Sequence, residues 1–378
     1  MEKDTLPINP AVLRWARERA CYTLEEASQA FRNISAWEGG TDAPTYPQLE
    51  QLAEKFKCPV AAFFFPSPPD VPNVEASFRT LTPNDYAEIP RGVQIFVRRG
   101  QAMQINLAEL NDGRNPADRL ITKDIKLSAN SSLKDIASEV RGYLGISMAE
   151  QASWKSPEVA LEAWRDAFSR VGIYVFKDAF RTEGYCGFCL YDDQFPIVYI
   201  NNSSTKTRQI FTLFHELGHL LFHTSGIDVD DDSFIRHLPV DSRNIEVICN
   251  GLAACVLVPD DDFDGQLRGR KADRVLAGNI AEYFAVSREV IYRKFLDRGL
   301  INASEYSEAA SFWASQRGSK TGGGNYYNSH FSYLGAHYVD LAIAKYHQGR
   351  FDEIKLAEYL NIKPKNLPAF EAKFGGRF

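Results

Sequence analysis

The sequence predicts an α+β protein of more than one domain, mostly helical, with a small sheet set between helical stretches. Three observations predict it. Apolar residues recur at three- and four-residue steps over most of the chain, as amphipathic helices require. Between Val171 and Asn201 the pattern changes to short β-branched and aromatic runs separated by turn residues. A chain of 378 residues, 44% of them hydrophobic, is long enough for two or three domains with a sizeable core.

The elements follow in order. Residues 1–66 form a small helical domain: Val12, Leu13, Ala16, Ala20 and Leu24 mark one apolar face, Thr23 with Glu25 and Glu26 marks a helix start, and a second pattern runs from Tyr46 to Cys58. Residues 67–92 read as a connector, because Pro66, Pro68, Pro69 and Pro72 stop helices and stiffen the chain. Residues 93–168 are helical again. Three strands are expected at Val171–Phe176, Cys186–Asp192 and Pro196–Asn201. Helices follow to Phe263, then a compact helical pair from Ile280 to Leu300, and a C-terminal helical region, 306–378, that includes the loop Gly318–Asn325.

Composition excludes several classes. The longest apolar run near the start, Val60–Phe65, is far too short to span a membrane, and the first ten residues lack a basic and then apolar leader. Six irregularly spaced cysteines do not make a disulfide framework, so a reducing, cytoplasmic setting is expected, with no membrane partner. A net charge of -6 argues against a protein coated for duplex DNA.

The chemistry concentrates in "FTLFHELGHLLFH", Phe211–His223. On a helix, His215 and His219 lie on one face with Cβ atoms about 6 Å apart, which suits two corners of a zinc tetrahedron. Glu216 is offset by one residue, too far round to be a ligand and close enough to take a proton from an activated water. His223 lies about 12 Å along the axis from His215 and belongs with the helix C-terminus rather than with the metal. Two imidazoles need a third ligand. The best candidate is Glu246 in "NIEVICNGLAACVLVP", with Asn250 one turn on, placed to hold a ligating histidine by its other ring nitrogen.

"VYINNSSTKTRQIFTLFHELGHLLFH" followed by "IEVICNGLAACVLVP" resembles the ImmA/IrrE family of zinc metallopeptidases, most strongly over residues 160–300. The resemblance implies a small-sheet, zincin-like metallopeptidase core at 160–270, His215, His219 and Glu246 as Zn²⁺ ligands, and Glu216 as general base. Departures from the family pattern fall at Cys249, Leu252 and Val256, none of them a ligand. It also implies a protein substrate, a helix-turn-helix repressor encoded nearby, with a nucleic-acid effector in some members.

Residues 1–66 resemble a repressor-type helix-turn-helix domain through "WEGGTDAPTYPQLEQLAEKF", but only six residues separate "LEEA" from "ISAW", about four fewer than a recognition helix needs. Seven Lys and Arg stand against nine Asp and Glu there, a net of -2, which favours protein docking or internal regulation over duplex reading. A second helix-turn-helix-like pattern occupies 271–305. "CGFC", Cys186–Cys189, reads as strand packing, because residues three apart on a strand face opposite ways. The acidic runs Asp228–Asp232 and Asp260–Asp264 read as solvated loops, and His237 as an outside candidate for a donor to the transition state. The competing function is a transcriptional regulator that binds DNA or protein and holds zinc only for structure. Glu216 and the lack of a fourth protein ligand favour the enzyme.

Overall fold

A computed structural model describes residues 5–69, 78, 89–229, 237–315 and 326–374. The expected Gly318–Asn325 loop, Asp230–Asp232 of the first acidic run, and most of the proline-rich connector lie outside them. The chain forms two compact units, Met1–Val74 with Ala87–Arg98, and Glu75–Tyr86 with Arg99–Phe378.

In the first unit, α1 (Pro10–Arg19), α2 (Leu24–Ala30), α3 (Ile34–Glu38) and α4 (Tyr46–Phe56) enclose a core of Leu13, Ala16, Ile34, Trp37, Leu49, Leu52 and Phe63. Thr23 caps α2 in a reciprocal pair with Glu26, which satisfies two backbone N–H groups that the helix itself leaves open. α3 is only five residues long. Its Glu38 is buried and held by Arg17 at 2.6 and 3.0 Å.

The helices α5 (Arg91–Leu110), α6 (Ile121–Asp124), α7 (Leu133–Leu144), α8 (Met148–Ser153) and α9 (Pro157–Arg170) precede the sheet. Its strands are β1 (Tyr174–Asp178), β2 (Tyr185–Leu190), β3 (Ile197–Asn201) and, beyond α10 (Lys206–Leu221), β4 (Gly226–Val229), in the spatial order β1-β3-β2-β4. β1 runs parallel to β3, and the β3–β2 and β2–β4 pairs are antiparallel. The architecture is α+β, a small mixed sheet among many helices, as the sequence predicts.

Three expectations need correction. The first strand begins at Tyr174 rather than Val171, because Val171 still closes the last turn of α9 and Gly172 follows in the left-handed region at φ +88°. Asp260–Asp264 is not a loop. It opens α12 (Asp260–Leu267), where carboxylates suit the positive end of the helix dipole. Asp228 is not solvated either: it sits in β4 and is 3% exposed.

The core of the second unit gathers on α10. Phe214 packs edge-on against Trp164 and Phe168 of α9, with ring centroids 4.8 and 5.4 Å apart, while Leu213, Leu217 and Leu220 are fully buried. On its other side lies α11 (Val240–Leu257). A Cβ on Gly218 would stand 3.0 Å from the Cys249 Cα, so only glycine lets the two helices approach this closely. The remaining helices are α13 (Arg274–Phe284), α14 (Arg288–Asp297), α15 (Ala303–Ser315), α16 (Tyr326–Leu334), α17 (Ala336–His347), α18 (Glu353–Tyr359) and α19 (Leu367–Phe374). Among the described residues no helix is long and apolar enough to cross a membrane.

Candidate metal centre

Helix α10 starts where Thr205 caps the Arg208 N–H, and it is buried along nearly its whole length. The four-residue spacing therefore carries both histidines inside. His215 is 1% exposed and His219 is fully buried. Their Nε2 atoms face each other at 3.2 Å.

The third group arrives from α11. Glu246 places Oε2 3.2 Å from His215 Nε2 and Oε1 3.3 Å from His219 Nε2. The ligating atoms of the three residues all lie within 4.8 Å of one another. Burial works against charge on Glu246, yet the two imidazoles hold its carboxyl well below the usual carboxylate range. One turn along the same helix, Asn250 Oδ1 stands 2.9 Å from His215 Nδ1. With the amide oxygen accepting, that bond takes the Nδ1 proton of His215 and so makes Nε2 the nitrogen available to a metal.

Glu216 is fully buried beside this group. Neither of its carboxylate oxygens has a hydrogen-bond partner among the described residues. Burial pushes its carboxyl up to about 7, with the two histidines pulling the other way. A buried carboxyl left without a strong donor is costly, which is the pattern of a group kept for proton transfer rather than for stability.

The other candidates fall elsewhere. His223 ends α10 in the left-handed region, its ring bonded by Nε2 to the Thr122 carbonyl at 2.8 Å and stacked on Tyr191. His237 is exposed and is not among the residues whose ligating atoms converge. Cys186 and Cys189 are both buried in β2, where the sheet is covered on both faces.

Sequence reasoning missed Asp228. Its carboxylate accepts from Thr212 Oγ1 at 2.7 Å and from Arg208 at 2.8 Å, both on the turns of α10 that precede His215. It ties the edge strand β4 to the helix that carries the histidines. "GIDV" is too short for its alternation to stand out, and the acidic residues that follow in the sequence make Asp228 read as part of a charged run. β4 then passes so close that a Cβ on Gly226 would fall 2.4 Å from the His219 ring.

Two imidazole nitrogens and a carboxylate converge on one point, and no fourth His, Cys, Asp or Glu joins them among the described residues. This donor set fits a borderline divalent metal such as zinc with a position left open, and a buried carboxylate stands beside it. The donor set is of the kind that metal-dependent peptidases use. Residues 168–296 match the family model described as the IrrE N-terminal-like domain, of the M78 peptidases. The match spans the four strands, α10 and α11, and about a third of the chain. No curated protein matches the chain.

Proposed function

We propose that this protein is a zinc endopeptidase that cuts a helix-turn-helix repressor and so releases the genes the repressor silences. The observation that carries the reading is the buried Glu216 carboxyl beside the three-residue group His215, His219 and Glu246. A purely structural metal site has no use for such a neighbour. Zinc held by those three residues would supply Lewis acidity toward a scissile carbonyl and an attacking water. Glu216 takes the proton from that water and passes it to the departing amine. A carboxyl raised to about 7 is suited to both directions of transfer near neutral pH. Asn250 fixes the His215 ring in the tautomer that presents Nε2.

An extended substrate adds to the sheet at β4. Of the two edge strands, β1 packs against α16, whereas β4 lies against His219. Strand addition there brings a peptide backbone alongside the metal ligands. The N-terminal unit serves docking or regulation. Five residues of α3 are too few to fill a major groove, and its Glu38 is engaged by Arg17.

The test is incubation of the zinc-loaded protein with a repressor encoded beside it, with products read by mass spectrometry. A defined cleavage that disappears in Glu216→Gln supports the reading. An intact repressor after prolonged incubation with fully zinc-loaded protein counts against it.

A further inference from the structure

Residues two apart on a strand share a face, so Gly226 and Asp228 of β4 both turn toward α10. Asp228 ties the strand to Thr212 and Arg208. Gly226 has no side chain, and a Cβ there would stand 2.4 Å from both Cγ and Cδ2 of the His219 ring and 2.8 Å from its Nδ1. Its backbone lies outside the left-handed region, so conformation alone does not call for glycine. The ring beneath it does. The strand is not free to retreat: Gly226 stands in register with Cys189 of β2, and the His219 carbonyl accepts from Thr224, two residues before the strand, at 3.1 Å. Asn250 engages the outer nitrogen of His215, whereas His219 Nδ1 has no hydrogen-bond partner among the described residues. Packing, rather than a hydrogen bond, orients the second imidazole.

We propose that Gly226 is a positioning residue for His219, the bare strand backbone forming the seat that holds this ring as Asn250 holds that of His215. This rests on the metal-site reading above. Carbon atoms in contact settle about 3.5–4.0 Å apart, so a methyl group at position 226 would push the ring by roughly 1 Å. Ligand distances in a metal site tolerate about 0.2 Å. A displacement several times larger takes His219 Nε2 away from the point it shares with His215 Nε2 and the Glu246 carboxylate. The strand proposed to receive the substrate thus also seats a metal ligand.

The experiment measures zinc affinity by chelator competition on the full chain, with melting temperature recorded in parallel. Gly226→Ala is compared with Gly100→Ala, whose new methyl group crowds Phe188, Leu190 and Ile197 at 3.0–3.2 Å on the face of the sheet away from α10. Gly226→Ala should weaken zinc binding by about 10- to 100-fold, as loss of a group that orients a ligand does, and Gly100→Ala should leave it within about twofold, whatever each costs in melting temperature. If the wild type binds zinc tightly and both variants match it, Gly226 does not set the ring, and the proposal falls while the metal site stands. Equal weakening in the two variants overturns it as well, since zinc affinity would then follow general loosening of the sheet. If the wild type binds no zinc, both readings fall. Should Gly226→Ala not fold, nuclear Overhauser contacts in the zinc-loaded wild type decide. Cross-peaks between the Gly226 α-protons and the His219 ring Hδ2 support the seat, and their absence overturns it.

Discussion

Asp228 in the edge strand accepts a hydrogen bond from Thr212 Oγ1 at 2.7 Å, one turn before the first of the two buried histidines on α10. Arg208, a further turn back, donates to the same carboxylate. A buried acid with two donors from one helix fixes how strand and helix meet. Asp228→Ala should destabilise the protein by about 1.5–3 kcal/mol, the range for hydrogen bonds to a charged group. The cost stays below that of a fully buried ion pair because the Arg208 side chain is 26% exposed. Denaturant unfolding checks it, and an unchanged midpoint would show the tie to be dispensable.

Removing one ligand should empty the metal site without unfolding the domain. His219→Ala deletes one of three converging donors, and an open site contributes less to folding than a closed structural one. Elemental analysis after dialysis should find far less than one zinc per chain, with an unchanged far-ultraviolet spectrum. Full zinc retention by this variant rules out His219 as a ligand.

Glu216→Gln keeps the size of the side chain and removes its basicity. Metal content should be nearly that of the wild type, while turnover of a cleaved substrate drops by roughly 10²- to 10⁴-fold with KM little changed. Wild-type turnover in this variant would remove Glu216 from the chemistry.

Lys177 supplies a pH test away from the metal. Its ammonium lies 2.7 Å from Glu162 and the residue is 2% exposed. Burial, aided by the neighbouring Arg165 charge, lowers it from 10.5 to about 7. Between those values the unfolded chain holds the proton more tightly than the folded one, so stability gains from Lys177 as pH rises from about 7 to 10.5 and is penalised below that window. In Lys177→Met this gain disappears, while Glu162 keeps Arg165 at 2.7 Å. Urea midpoints of both proteins from pH 6 to 10 should diverge most at the acid end, with the variant the more stable there. Parallel curves would mean that Lys177 keeps its ordinary affinity for protons.

Local pattern alone determined much of this molecule. The four-residue spacing of His215 and His219 puts two imidazoles on one face wherever that helix forms, and Thr23 with Glu26 starts α2 through bonds three residues apart. Glu246 and Asn250 were legible as candidates because they share a face of a second helix. Tertiary structure decided the rest. That α11 lies close enough for Glu246 to meet both Nε2 atoms depends on Gly218, and what Gly218 faces is set by packing rather than by its neighbours in sequence. Asp228 stands at the head of an acidic run, and nothing in the sequence of that run marks it as the carboxylate that meets Thr212. Burial of a charge is decided by the partner that reaches it, and Arg208 and Thr212 reach Asp228 across twenty and sixteen residues of chain.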